Sequence, residues 1–139
     1  MLSFDTIRDT LCFKGRIEMA IIGVGMDAIE LSRIEKIVVQ DSSFIQRVLT
    51  PMEYSVYETL GMKRKVEYLA GRFAAKEAYS KALGTGIGKA VSFQEIEILN
   101  AETGQPVLTA PHHYQKHISI THTNHDAYAV VILEETPQI

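Results

Sequence analysis

The chain has 139 residues, 46% of them hydrophobic and 22% charged, which fits one globular domain built around a single core. A formal net charge of -3 argues against a general nucleic-acid binder, and a single cysteine, Cys12, excludes an internal disulfide. No apolar run reaches the roughly 18–20 residues that span a bilayer and the N-terminus lacks the layout of a secretory signal, so the cytoplasm is the expected compartment.

Residues 1–18 read as an extension to a domain of residues 19–139, and two explanations stand side by side. Translation starts at Met19, with Lys14-Gly15-Arg16 encoded by a purine-rich ribosome-binding stretch, or the segment is an amphipathic helix carrying Phe4, Ile7 and Leu11. The first strand is expected over Ala20 to Asp27, with Ile22, Val24 and Met26 on one face and Ile21, Gly23, Gly25 and Asp27 on the other. A helix follows, with Leu31, Ile34 and Ile37 or Val38 as its stripe. Thr50-Pro51 with Glu53 marks a second helix start closed by a capping box. The strongest helix runs from about Val66 to Leu83 and stops at Gly84. Beyond Gly88 the period becomes that of strands. One hairpin is expected over Val91–Leu99 and Val107–Thr109, and another over His117–His122 and Ala127–Leu133. The class is α+β.

Candidate chemistry begins with Glu77, which shares a narrow helical sector with Val66, Ala70 and Phe73. A carboxylate in an apolar stripe is costly unless paired or bound to a metal. Two readings follow: an i,i+4 pair with Lys81, or a metal ligand whose neighbour Lys81 neutralises a phosphate. Asp27 is similarly open, as a helix cap acting with Glu30 or as a second ligand for magnesium, which takes hard oxygen ligands. Lys63, Arg64, Lys65 and Arg72 form either a solvated charge cluster or a grip for phosphates.

Two glycine motifs fail as nucleotide signatures. Gly84-Thr85-Gly86-Ile87-Gly88-Lys89 follows a helix instead of opening one, and Ala90 stands where a phosphate loop needs Ser or Thr. Gly23-x-Gly25-x-x-Ala28 lacks the next strand and its acidic residue. Five histidines crowd the C-terminal region, but strand periodicity scatters them and no cysteine joins them, which argues against zinc. His122 ends a strand beside a turn, where it either reaches a site or braces the hairpin.

Together these segments resemble the holo-[acyl-carrier-protein] synthase family of 4′-phosphopantetheinyl transferases. The resemblance rests on Ile22–Asp27 running into Glu30-Leu-Ser-Arg-Ile34, and on Phe44-x-x-Arg-Val-Leu-Thr-Pro-x-Glu53. It continues through Leu69-Ala-Gly-Arg-Phe-Ala-Ala-Lys-Glu-Ala-Tyr-Ser-Lys-Ala-Leu-Gly-Thr-Gly-Ile87 and Ile118-Ser-Ile-Thr-His-Thr123. It implies a homotrimer with coenzyme A in clefts between subunits, and transfer of phosphopantetheine to an acyl carrier protein in fatty acid biosynthesis. Asp27 and Glu77 would then hold Mg2+, and Lys81 would contact the pyrophosphate. Lys63, Arg64, Arg72 and His122 would meet the remaining phosphates, Gly84, Thr85 and Gly86 would flank the nucleotide, and Arg33 and Arg47 would face the carrier protein. The helix after Asp27 is less basic than the family's habit: Ser32, Glu35, Val38 and Val39 leave only Arg33 and Lys36, which implies weaker or more apolar docking.

Overall fold

A computed structural model describes residues 20–137. The expected extension over residues 1–18 lies outside the described residues. In chain order the elements are β1 (Ile21–Glu30), α1 (Leu31–Gln40), α2 (Ser42–Val48), α3 (Pro51–Glu58), α4 (Met62–Leu83), a 3-10 turn (Phe93–Glu95), β2 (Glu97–Asn100), β3 (Pro106–Thr109), β4 (Tyr114–His122) and β5 (Asp126–Glu135). The strands form an antiparallel sheet in the order β1-β5-β4 and a separate two-stranded ribbon, β2-β3. The α+β expectation holds, and several boundaries move, including the start of β4, which lies at Tyr114 instead of His117. β1 runs on to Glu30, because Asp27 pairs with Ala129 and the ladder continues to Glu30 opposite Asp126. α4 begins at Met62, a turn before Val66. Of the segment Val91–Leu99 only Glu97–Asn100 pairs as strand, since the 3-10 turn occupies Phe93–Glu95. The short helix α2 was not read from the sequence.

α4 lies across one face of the large sheet, against β1, β5 and β4. Its buried side is small: Ala70, Ala74, Ala75, Ala78 and Ala82 meet Ala127, Ala129, Val131 and Leu133 of β5. The β1 face turned to α4 is smaller still. A Cβ at Gly23 would overlap the Ala82 carbonyl, and one at Gly25 the Ala78 carbonyl. The alternation in β1 is therefore as expected, but burial follows size more than hydropathy. Glycines pack inward, while Val24 and Met26 stay 58% and 61% exposed on the far face.

α3 starts at the expected capping box: Thr50 Oγ1 accepts from Glu53 N at 3.3 Å, and Glu53 Oε1 accepts from Thr50 N at 2.8 Å. Glu53 does more than cap. It is fully buried, its Oε2 accepts from Ile98 N at 2.8 Å, and its Oε1 pairs with the equally buried Lys76 at 2.6 Å. Lys76 Nζ also donates to the carbonyls of Val48 (2.6 Å) and Phe93 (3.0 Å). One ion pair thus ties α2, α3, the 3-10 turn and β2 to α4. Burial lowers the Lys76 pKa, and the attraction of Glu53 opposes that shift.

Removing one partner of such a buried pair leaves the other charge uncompensated, a loss of about 3–5 kcal/mol. Lys76→Met should therefore unfold in urea with a stability loss of that order; a midpoint close to wild type would contradict the pair's role.

Candidate active site

Because β1 lies directly on α4, Asp27 at the sheet face meets the residues one and two turns before the helix end. Lys81 Nζ donates to Asp27 Oδ1 at 2.8 Å and to the Met26 carbonyl at 3.0 Å. Lys81 is about half exposed, while the Asp27 side chain is 17% exposed. Glu77 lies one turn before Lys81 on α4 and is partly buried. Burial raises its pKa above the ordinary 4.5, the Asp27 charge raises it further, and Lys81 pulls the other way. Both local readings of these residues give way. The helix α1 is capped at Glu30 without a side-chain bond, so Asp27 is no cap. The Lys81 ammonium hydrogen-bonds across to β1 instead of back to Glu77.

Two carboxylates against one ammonium leave a negative balance, which suits a hard divalent cation. Among the described residues no three His, Cys, Asp or Glu side chains gather as a metal cage. Magnesium needs less than that: one or two carboxylates, with water and phosphate oxygens completing its shell. The donor set of Asp27 and Glu77 fits it.

A second group gathers further up α4. Arg64, Glu67, Tyr68 and Arg72 line a cleft of about 190 Å³ together with Asn100 and His122. Arg64 Nη1 lies 3.2 Å from Glu67 Oε1, and His122 Nδ1 lies 3.4 Å from Glu67 Oε2. Arg72 is largely buried: its guanidinium stacks on the Tyr68 ring, donates to the Ile98 carbonyl at 3.3 Å and reaches Asn100 Oδ1 at 3.1 Å. The run Lys63-Arg64-Lys65 does not act as a unit. Lys63 lines a neighbouring hollow with Leu31, Met62 and Val66, and Lys65 lies over the Tyr57 ring.

The remaining candidates lie apart. Gly84 closes α4 with φ 82°, a left-handed turn that suits glycine. The amides of Thr85 and Gly86 both donate to the Ser80 carbonyl, and that of Gly84 to the Lys81 carbonyl, so this backbone is engaged with the helix end. Arg33 on α1 and Arg47 on α2 are exposed, the latter with its guanidinium over Phe44. The histidines disperse: His112 Nδ1 meets Tyr79 Oη at 2.7 Å, and His117 Nε2 meets Glu134 Oε1 at 2.5 Å.

A family model described as the 4′-phosphopantetheinyl transferase superfamily matches residues 23–133. A holo-[acyl-carrier-protein] synthase of Enterococcus faecalis is 57% identical over 113 residues, covering 81% of this chain and 96% of that protein. The chain belongs to the holo-[acyl-carrier-protein] synthase family. It is accordingly a phosphopantetheinyl transferase. The fold is similar to the Bacillus anthracis synthase solved in complex with CoA (3′,5′-ADP), with a TM-score of 0.80, 49% identity and coverage of 86% of this chain and all of that one. It is also similar to the Helicobacter pylori synthase in complex with coenzyme A, with a TM-score of 0.70, 36% identity, and coverage of 79% and 98%.

Two features of this transferase escaped the sequence. Lys76 sits between Ala75 and Glu77 in the family segment yet serves the core, a role visible only once Glu53 lies opposite it. Glu67 stands three residues after Arg64, a spacing that is legible, but its contact to His122 joins distant parts of the sequence.

The raised pKa of Glu77 has a consequence for stability. Above its ordinary titration range the fold holds a carboxylate whose environment favours the protonated form, so the charge opposes folding there. Below the ordinary 4.5 both folded and unfolded states are protonated and the effect vanishes. Glu77→Gln should therefore melt higher than wild type at pH 7 and match it near pH 3, read by calorimetry across pH; a lower melting temperature at neutral pH would overturn the assignment.

Proposed function

We propose that this enzyme transfers 4′-phosphopantetheine from coenzyme A to a serine of an apo acyl carrier protein, in the cytoplasm and in support of fatty acid biosynthesis. The observation that carries the reading is the meeting of Asp27, Glu77 and Lys81 where β1 crosses α4. The coenzyme A complexes of the similar Bacillus anthracis and Helicobacter pylori synthases support the donor. The domain is proposed as residues 19–139, with residues 1–18 outside it.

Asp27 and Glu77 would hold Mg2+, which supplies charge neutralisation at the diphosphate when bound. Lys81 is half exposed and held beside Asp27, so it can turn to the diphosphate without crossing the site. The carrier serine oxygen bonds to the β-phosphorus, and the bond from that phosphorus to the bridging oxygen breaks. Adenosine 3′,5′-bisphosphate leaves with the electron pair, and Lys81 offsets the charge that develops on it. The serine proton passes to solvent or to Glu77, the site carboxylate whose proton affinity burial raises. Catalysis on this reading is mostly positioning and electrostatics.

The cleft of Arg64, Arg72 and His122 would take the 3′-phosphate, with Lys63 beside it and Gly84, Thr85 and Gly86 flanking the nucleotide. Arg33 and Arg47 are placed on exposed faces of α1 and α2, open to an acidic carrier protein. Glu30 and Glu35 lie close to Arg33 in sequence and are also exposed, which dilutes the attraction. Homotrimer assembly is supported by the sheet face opposite α4. There Ile22, Val24 and Met26 stand exposed beside Val130 and Ile132 of β5, an apolar surface that a second copy would cover.

Intact-mass spectrometry of an apo acyl carrier protein incubated with this enzyme, coenzyme A and Mg2+ should show a gain of one phosphopantetheine that EDTA abolishes. No gain from folded enzyme, or coenzyme A cleavage without a carrier, would overturn the transfer. Val24→Asp should sediment as a monomer and lose turnover while keeping its melting behaviour; an unchanged trimer would count against that face.

A further inference from the structure

Glu67 is the odd member of the cationic cleft: a carboxylate where an anion is meant to bind. Its side chain is only 12% exposed, and its two oxygens face two different basic side chains. Oε1 lies 3.2 Å from Arg64 Nη1, and Oε2 lies 3.4 Å from His122 Nδ1. The Arg64 and His122 side chains are otherwise loose, 64% and 41% exposed, and come from different elements, α4 and the end of β4.

We infer that Glu67 is a positioning residue, a carboxylate bracket that holds Arg64 and His122 in place for the 3′-phosphate of coenzyme A. The inference rests on the phosphate placement proposed above. A guanidinium has five N–H donors and a protonated or neutral imidazole two ring nitrogens, so one contact each to Glu67 leaves donors free. With Nδ1 turned to the carboxylate, His122 presents Nε2 to the cleft. Ordering a long arginine before the ligand arrives removes entropy that binding would otherwise cost. Being nearly buried, Glu67 offers its carboxylate to both side chains while keeping little surface of its own.

The test compares coenzyme A with dephospho-coenzyme A, which lacks only the 3′-phosphate, in wild type, Glu67→Gln, Arg64→Ala and His122→Ala. Glu67→Gln is isosteric and should raise KM for coenzyme A about fivefold, the scale of one partly exposed charged contact. Its kcat should hold within about twofold, and its KM for dephospho-coenzyme A should not move; a residue that merely supported the helix would affect both substrates alike. Nitrogen-15 spectra should show the His122 ring losing its preference for the proton on Nδ1 in Glu67→Gln. An equal change for both substrates, or none, overturns the inference. If Arg64→Ala and His122→Ala fail to distinguish the substrates, the phosphate placement falls and the inference with it. If they distinguish them and Glu67→Gln does not, the inference alone falls.

Discussion

With no Cβ at Gly23 or Gly25, β1 rests on the carbonyls of Ala78 and Ala82, and that close approach sets the geometry of the site. Asp27 follows on the same strand face, so it arrives at the level of Glu77 and Lys81 with little freedom to miss them. The same approach explains an otherwise odd distribution of hydropathy. The valine and methionine of β1 are turned outward, since the inward face has no room for them. The chain therefore carries an apolar sheet surface that follows from how closely β1 packs on α4.

A second anchor lies on the opposite flank of α4. Glu53 and Lys76 are adjacent to functional segments in sequence, one at a helix cap and the other next to Glu77, yet neither reaches solvent. Their remaining hydrogen-bonding capacity is met by backbone: Thr50 and Ile98 amides for the carboxylate, Val48 and Phe93 carbonyls for the ammonium. A buried pair satisfied in this way is costly to break from one side. Lys76 turns to the helices and Glu77, the next residue, lies near Asp27 of β1, so adjacent positions of one helix serve the core and the candidate site.

The site itself opposes stability. Glu77 is partly buried near another carboxylate, and its environment favours the neutral form. On the proposed reading, a cation held by Asp27 and Glu77 would offset that penalty. The cleft of Arg64, Arg72 and His122 is arranged differently. Its polar groups are already partnered, Arg72 by backbone and an aromatic ring, and Arg64 and His122 by Glu67, so on the proposed reading a phosphate would meet donors already held in place.

How much of this was legible in the sequence varies by residue. The capping box at Thr50, the stop at Gly84, the β1 alternation and the class of fold are local, set by backbone sterics and hydrogen bonds within a few residues, and they were read correctly. For Asp27, Glu77 and Lys81 the local pattern leaves a cap and an i,i+4 pair open beside the metal reading. Only the packing of β1 on α4 showed that the ammonium crosses to the strand. The sequence pattern leaves Arg72 open as part of a solvated cluster or a phosphate grip and says nothing of Lys76, and tertiary contacts bury both. The sequence by itself determined which elements form and which residues carry charge, because those depend on neighbours along the chain. Which of those charges are buried in the core, paired across elements or left at the surface was decided by the tertiary structure, because burial and pairing depend on what the fold brings opposite.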